Sequence, residues 1–88
     1  MAQYLNGTAD AQVKLGAGKL YAVFCNSTSS GTFKLYDTDT GTATGNAICG
    51  TVTPTAGTSH LNTPQGIWFN KGLYIDIGST IDYTIVYE

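Results

Sequence analysis

The sequence predicts an all-β fold, a small antiparallel β-sandwich or jelly-roll-like barrel of roughly seven or eight short strands. Three observations carry this. Charged residues are only 11% of the 88 residues while hydrophobic ones are 42%, and glycines and threonines stand where a helical protein would place Lys and Glu. No window shows the apolar period of a helix. Turn-forming clusters recur about every 8 to 12 residues, the spacing of a sandwich or barrel.

Residues 1–10, MAQYLNGTAD, show neither a strand nor a helix period and read as an N-terminal arm, with residues 11–88 as a single β domain. A strand over residues 11–15 meets Gly16-Ala17-Gly18-Lys19, whose flexible glycines predict a tight hairpin into residues 20–25. Leu20 to Cys25 is apolar on both parities, which predicts a central strand covered on both faces. The cluster NSTSSG predicts a turn over residues 26–31. In the strand that follows, Phe33 and Leu35 share one face and Lys34 and Tyr36 the other.

Residues 38–46 are too polar and glycine-rich for a packed strand and read as an exposed loop. Residues 47–53 alternate as a strand that Pro54, which has no N–H donor, brings to an end. A loop over 55–59, a brief extended His60-Leu61 and a direction reset over 62–66 lead to the aromatic strand Ile67-Trp68-Phe69. Asn70-Lys71-Gly72 then predicts a hairpin turn. The returning strand points Leu73, Ile75 and Ile77 inward and Tyr74 and Asp76 outward. Gly78-Ser79-Thr80 is the last expected turn, and residues 81–88 alternate to the end of the chain.

The net charge is -2 with four lysines and no arginine, so there is no basic footprint for a phosphate backbone and no nucleic-acid partner is expected. No apolar run approaches the about 20 residues that span a bilayer, and the N-terminus lacks the regions of a signal peptide. The expectation is a soluble chain with no membrane partner. Cys25 and Cys49 lack the close pairing of zinc ligands and read as small buried hydrophobes, with a disulfide as the alternative.

Asp37-Thr38-Asp39-Thr40-Gly41 opens like an oxygen-rich calcium loop but has no downstream bidentate glutamate, Glu88 being the only one. Turns capping a strand are the preferred reading, and no metal or cofactor is expected. His60, the single histidine, has no motif spacing to Ser59, Ser79 or Cys49 and reads as a surface or interface residue. Asp76 and Asp82 take the outward parity, which solvation explains without a glycosidase carboxylate pair. Gly16 to Lys19 lacks the length and the helix of a phosphate cradle. No residue is assigned a catalytic role. Ile67, Trp68 and Phe69 are apolar on both parities, so at least one side chain reaches a covered surface, with core packing slightly preferred for Trp68. This profile fits a structural or assembly module.

Three segments, GKLYAVFCNSTSSGTFKLYDT (18–38), ICGTVTPTAGTSH (48–60) and KGLYIDIGSTIDYTIVYE (71–88), cover most of the chain. In pattern the sequence resembles the small β-sandwich decoration, or cement, proteins encoded beside the major capsid protein of tailed bacteriophages; the closing segment carries the resemblance furthest. The resemblance implies a non-enzymatic virion protein, assembled in the host cytoplasm, on the outer surface of the expanded capsid. There it binds the major capsid protein and bridges capsomers. It implies self-association, with a trimer on three-fold positions preferred to a dimer on two-fold ones. On this reading the arm, Met1, Ala2, Gln3, Tyr4 and Leu5 foremost, contacts the capsid. Exposed members of Trp68, Phe69, Tyr74 and Tyr83 contact other subunits. The proline-rich N-terminus of some decoration proteins is missing, Pro54 being the first proline. The competing reading is a tail, fibre or carbohydrate-binding module that stacks a sugar on Trp68, with Asn62, Asn70 and Asp76 as polar partners.

Overall fold

Residues 18–37 and 72–87 are rich in β-branched and aromatic residues, broken only by short Ser/Thr/Gly clusters, and each forms one long strand. A computed structural model describes residues 3–88, all of whose regular elements are strands. They are β1 (Gln3–Gly7), β2 (Ala11–Leu15), β3 (Gly18–Asp37), β4 (Asn46–Ala47), β5 (Thr58–His60), β6 (Ile67–Phe69) and β7 (Gly72–Tyr87). All seven belong to one antiparallel sheet, as the all-β reading requires. The strands are not uniformly short, because β3 has 20 residues and β7 has 16.

A flat strand of that length would reach about 66 Å at ~3.3 Å per residue, whereas the longest dimension of the molecule is 31 Å. β3 therefore has to bend sharply, and β7, its partner from Leu20↔Tyr87 to Tyr36↔Tyr74, bends with it. The bend lies where Ser29 and Ser30 both face Thr80. Ser30 and Ser79 adopt left-handed backbone angles there, with φ of 55° and 63°. Gly31 and Gly78 flank them, and a Cβ on either would run into the opposite strand, into Ile81 and the Thr80 carbonyl or into the Thr32 hydroxyl. Thr28 Oγ1 accepts the Gly31 N–H at 3.0 Å, and Ser79 Oγ donates to the Ser29 carbonyl at 3.1 Å.

The predicted turns over residues 26–31 and 78–80 are thus bends within continuous strands. Turn chemistry reverses a chain only when its two flanks gain by pairing with each other. Here each flank of β3 pairs instead with a flank of β7, and the Ser/Gly residues supply bulges and positive φ. The other two predicted hairpins are also absent, since β2 pairs with β7 while β3 pairs with β4, β5, β6 and β7. Gly16-Ala17 joins β2 to β3 and Asn70-Lys71 joins β6 to β7, and in each case the two joined strands pair with other partners.

The bend folds the sheet over its own inner face. One half contains β1, the second stretch of β7, the first stretch of β3, and β5 and β6; the other contains β2, the first stretch of β7, the second stretch of β3, and β4. Both halves feed one core, with Leu20, Val23, Cys25, Phe69, Ile81, Tyr83 and Ile85 from the first and Phe33, Leu35, Leu73 and Ile75 from the second. Burying each large side chain contributes about 1.5–3 kcal/mol.

Register breaks in β3 between Leu20 and Ala22, between Cys25 and Ser27, and between Ser29 and Ser30 each switch the inward parity. Leu20 and Val23 are both buried for this reason, and Phe24 faces outward at 38% exposure, so the stretch is central but not covered on both faces. The predicted strand over residues 47–53 is mostly irregular, touching β3 through β4 and again at the Phe33↔Val52 bridge. The loop after β3 is exposed from Asp39 to Gly45, but Thr38 is buried.

Gly31→Ala should lower stability by about 1–3 kcal/mol, because the added methyl overpacks the bend. A fall in the urea midpoint with an unchanged slope checks this.

Candidate functional site

The residues singled out in the sequence divide into structural locks and exposed contacts. Asp37 ends β3 and accepts the backbone N–H groups of three consecutive residues, Asn70 (2.9 Å), Lys71 (2.8 Å) and Gly72 (3.3 Å). Three successive N–H groups converging on one carboxylate make an anion nest. Burial alone would push the Asp37 carboxyl up, but the three donors and the Lys71 charge together outweigh it and hold it below the ordinary value. Asp37 therefore acts as an intramolecular anion that ties the end of β3 to the start of β7. The threonines that follow it join their hydroxyls to one another, with Thr40 Oγ1 at 2.9 Å from Thr42 and 3.1 Å from both Thr38 and Thr44. Gln12 pins the loop through the Thr38 carbonyl (2.7 Å) and the Gly41 N–H (3.0 Å).

Residues 3–10 are not an unpatterned arm. β1 pairs with β7 from Gln3↔Tyr87 to Gly7↔Tyr83. Asp10 then accepts the Ile77 N–H at 2.6 Å and the Tyr74 hydroxyl at 3.5 Å, while the Tyr83 hydroxyl donates to the Ala9 carbonyl at 2.8 Å. Burial, with the charge of Asp10 behind it, pushes the Tyr83 hydroxyl up to about 12. Met1 and Ala2 of the predicted contact arm lie outside the described residues. Gln3 and Tyr4 are exposed and Leu5 is half-buried.

Of the predicted partner-contact residues only Trp68 is at the surface, 70% exposed. This corrects the preference for core packing; the single buried member of the trio is Phe69. Along a three-residue edge strand only every second side chain faces the core, and the Trp68 ring lies outward under the Lys19 ammonium, 4.6 Å from its centroid. Phe69, Tyr74 and Tyr83 are interior and present no contact surface. Tyr74, expected outward, is buried, and its hydroxyl donates to Asp10. Sequence reasoning missed two outward apolar residues, Leu15 at 69% exposure and Phe24. For the second, residues 20–25 are apolar on both parities and alternation carried no signal.

Several predicted combinations are not assembled. Asp82 accepts amide N–H bonds from Asn6 at 2.8 Å and Asn26 at 3.2 Å, while Asp76 lies beyond the bend, opposite Lys34. The two carboxylates stand in different halves, and Asp76 is not beside Trp68. His60 Nε2 accepts the Thr55 N–H at 3.4 Å and contacts the Thr58 hydroxyl at 3.0 Å, closing its own loop. Cys25 and Cys49 are both free, the first buried and the second partly so. Burial, with the Asp82 charge adding to it, raises the Cys25 thiol above its ordinary value. Among the described residues no group of three or more His, Cys, Asp or Glu is placed to hold a metal ion.

Among the described residues, the large apolar side chains that remain outside are Tyr4, 73% exposed, Leu15, Phe24 and Trp68. Tyr4 and Phe24 lie on the outward face of the first half, where Tyr4 faces Val86 and Phe24 faces Thr84. Trp68 stands on the edge opposite β1, across β7 and β3. Compared with protein-family models, curated proteins and solved structures, the chain matches none.

Because the folded-state value of Asp37 is depressed, its contribution is complete above the unfolded value near 3.8 and is lost as the pH falls through the folded value. Asp37→Asn should cost about 1–2 kcal/mol at neutral pH and flatten the acid limb of the stability curve. Urea midpoints from pH 7 down to about pH 2.5 check both effects.

Proposed function

We propose that this chain is a non-catalytic virion protein that binds the outer surface of an expanded capsid and stabilises contacts between capsomers. The supporting observation is the placement of Tyr4 and Trp68 at opposite edges of one half of the sheet, both largely exposed. Large aromatic side chains anchor protein interfaces, and anchors on two separate edges suit a module that engages two neighbours at once. Repeating a weak contact over a lattice then multiplies its effect. The major capsid protein is the partner this reading names, and the pattern resemblance of residues 18–38, 48–60 and 71–88 supports it. The carbohydrate-binding alternative keeps the exposed Trp68 ring but loses Asp76, and the charge at the ring belongs to Lys19.

The test is co-sedimentation of the purified chain with expanded capsids of the source virus that lack it. Saturation at one copy per capsid subunit, or at a simple fraction set by symmetry, is expected. Trp68→Ala and Tyr4→Ala should each weaken binding by about tenfold or more with an unchanged fold. Failure to bind capsids, with saturable binding to a soluble polysaccharide instead, contradicts the proposal.

A further inference from the structure

The outer edge of a sheet offers a row of backbone donors and acceptors to any other strand, and natural edges are guarded by short length, charge, proline or a bulge. Four edge strands here are guarded. β2 carries Lys14 and a register break between Gln12 and Lys14, and β4, β5 and β6 are only two or three residues long. β1 has no such device. Its five residues, QYLNG, carry no charge and no proline and run in unbroken register with β7. Among the described residues β1 pairs with no other strand. Its outward face displays Tyr4, the most exposed large apolar side chain among the described residues.

We infer that β1 is a self-pairing edge: β1 of a second copy adds to it antiparallel, about a two-fold axis at Leu5, and makes one continuous sheet of the two molecules. A second copy fits because QYLNG is its own complement about Leu5. The axis sets Tyr4 against the partner's Asn6 and Gln3 against the partner's Gly7, so outward side chains meet outward ones and no like charges oppose each other. Leu5, half-buried against the core, meets its own copy and extends the apolar interior across the joint. The edge is also held in shape beforehand. The Asn6 amide donates to Asp82 at 2.8 Å and to the Tyr83 carbonyl at 2.7 Å, and the Tyr83 hydroxyl fixes Ala9 just beyond the strand. An isologous contact of this kind gives a dimer, in place of the trimer expected by resemblance. The inference stands independently of the virion reading.

Sedimentation velocity on the full chain from about 1 µM to 1 mM tests it, with a concentration-dependent monomer–dimer equilibrium expected. Tyr4→Lys, which installs a guard on the edge, should raise the dimer dissociation constant about tenfold or more while leaving the far-ultraviolet circular dichroism unchanged. Oxidation gives a second readout. Leu5→Cys should cross-link to its own copy, because directly opposed Cβ atoms lie about 4.5–5.5 Å apart. Gln3→Cys should not, because it faces the partner's Gly7. A chain that stays monomeric over the whole range overturns the inference. So does a trimer, a dimer insensitive to Tyr4→Lys, or equal cross-linking of the two cysteine variants.

Discussion

Everything in this molecule depends on the pairing of β3 with β7 through a shared bend. Neither strand buries its apolar residues alone, and a flat ladder of that length would leave one whole face wet. Bending both strands at one level turns that face onto itself and makes a single core from two halves of one sheet. The geometry is demanding. Two serines accept left-handed backbone angles, a strain of order 1–3 kcal/mol each, and two glycines remove the Cβ atoms that would keep the strands apart. The return is closure of a core that a domain of 88 residues has few other ways to build.

The remaining elements brace this ribbon. Asp37 gathers the backbone at the start of β7 onto the end of β3. Asp10 and the Tyr83 hydroxyl fasten the link between β1 and β2 to β7 on either side of the bend. Carboxylates and a buried phenol in a small protein invite a catalytic reading, but these are held by backbone partners, and the shifted ionisation of Asp37 and Tyr83 reports architecture. What is left for the outside is a sparsely charged surface with Tyr4, Leu15, Phe24 and Trp68 set on different elements.

The all-β class was legible because strand period and turn spacing are local signals. The inward residues Phe33, Leu35, Leu73, Ile75, Ile81 and Ile85 follow directly from alternation. The bend was not legible, because a cluster such as NSTSSG favours a reversal and a bulged bend equally, and only the partner strand decides between them. The bulge after Leu20 hid the exposure of Phe24 by making both parities look apolar. The candidate site was half legible. Tyr4 was named, but the pairing that makes β1 an edge joins it to a strand some eighty positions away, beyond any local signal. Trp68 lay in an apolar triplet whose short edge position cannot be read from three residues.

Native-state hydrogen exchange of the β3–β7 ladder tests the central claim most directly, since it resolves the opening free energy of each amide. If one bent ribbon holds one core, the amides of Val23, Ile75 and Ile85 should exchange with the same free energy, equal to that of global unfolding. A lower and separate opening of either half, with the other still protected, would show two cores joined at a hinge and contradict the account.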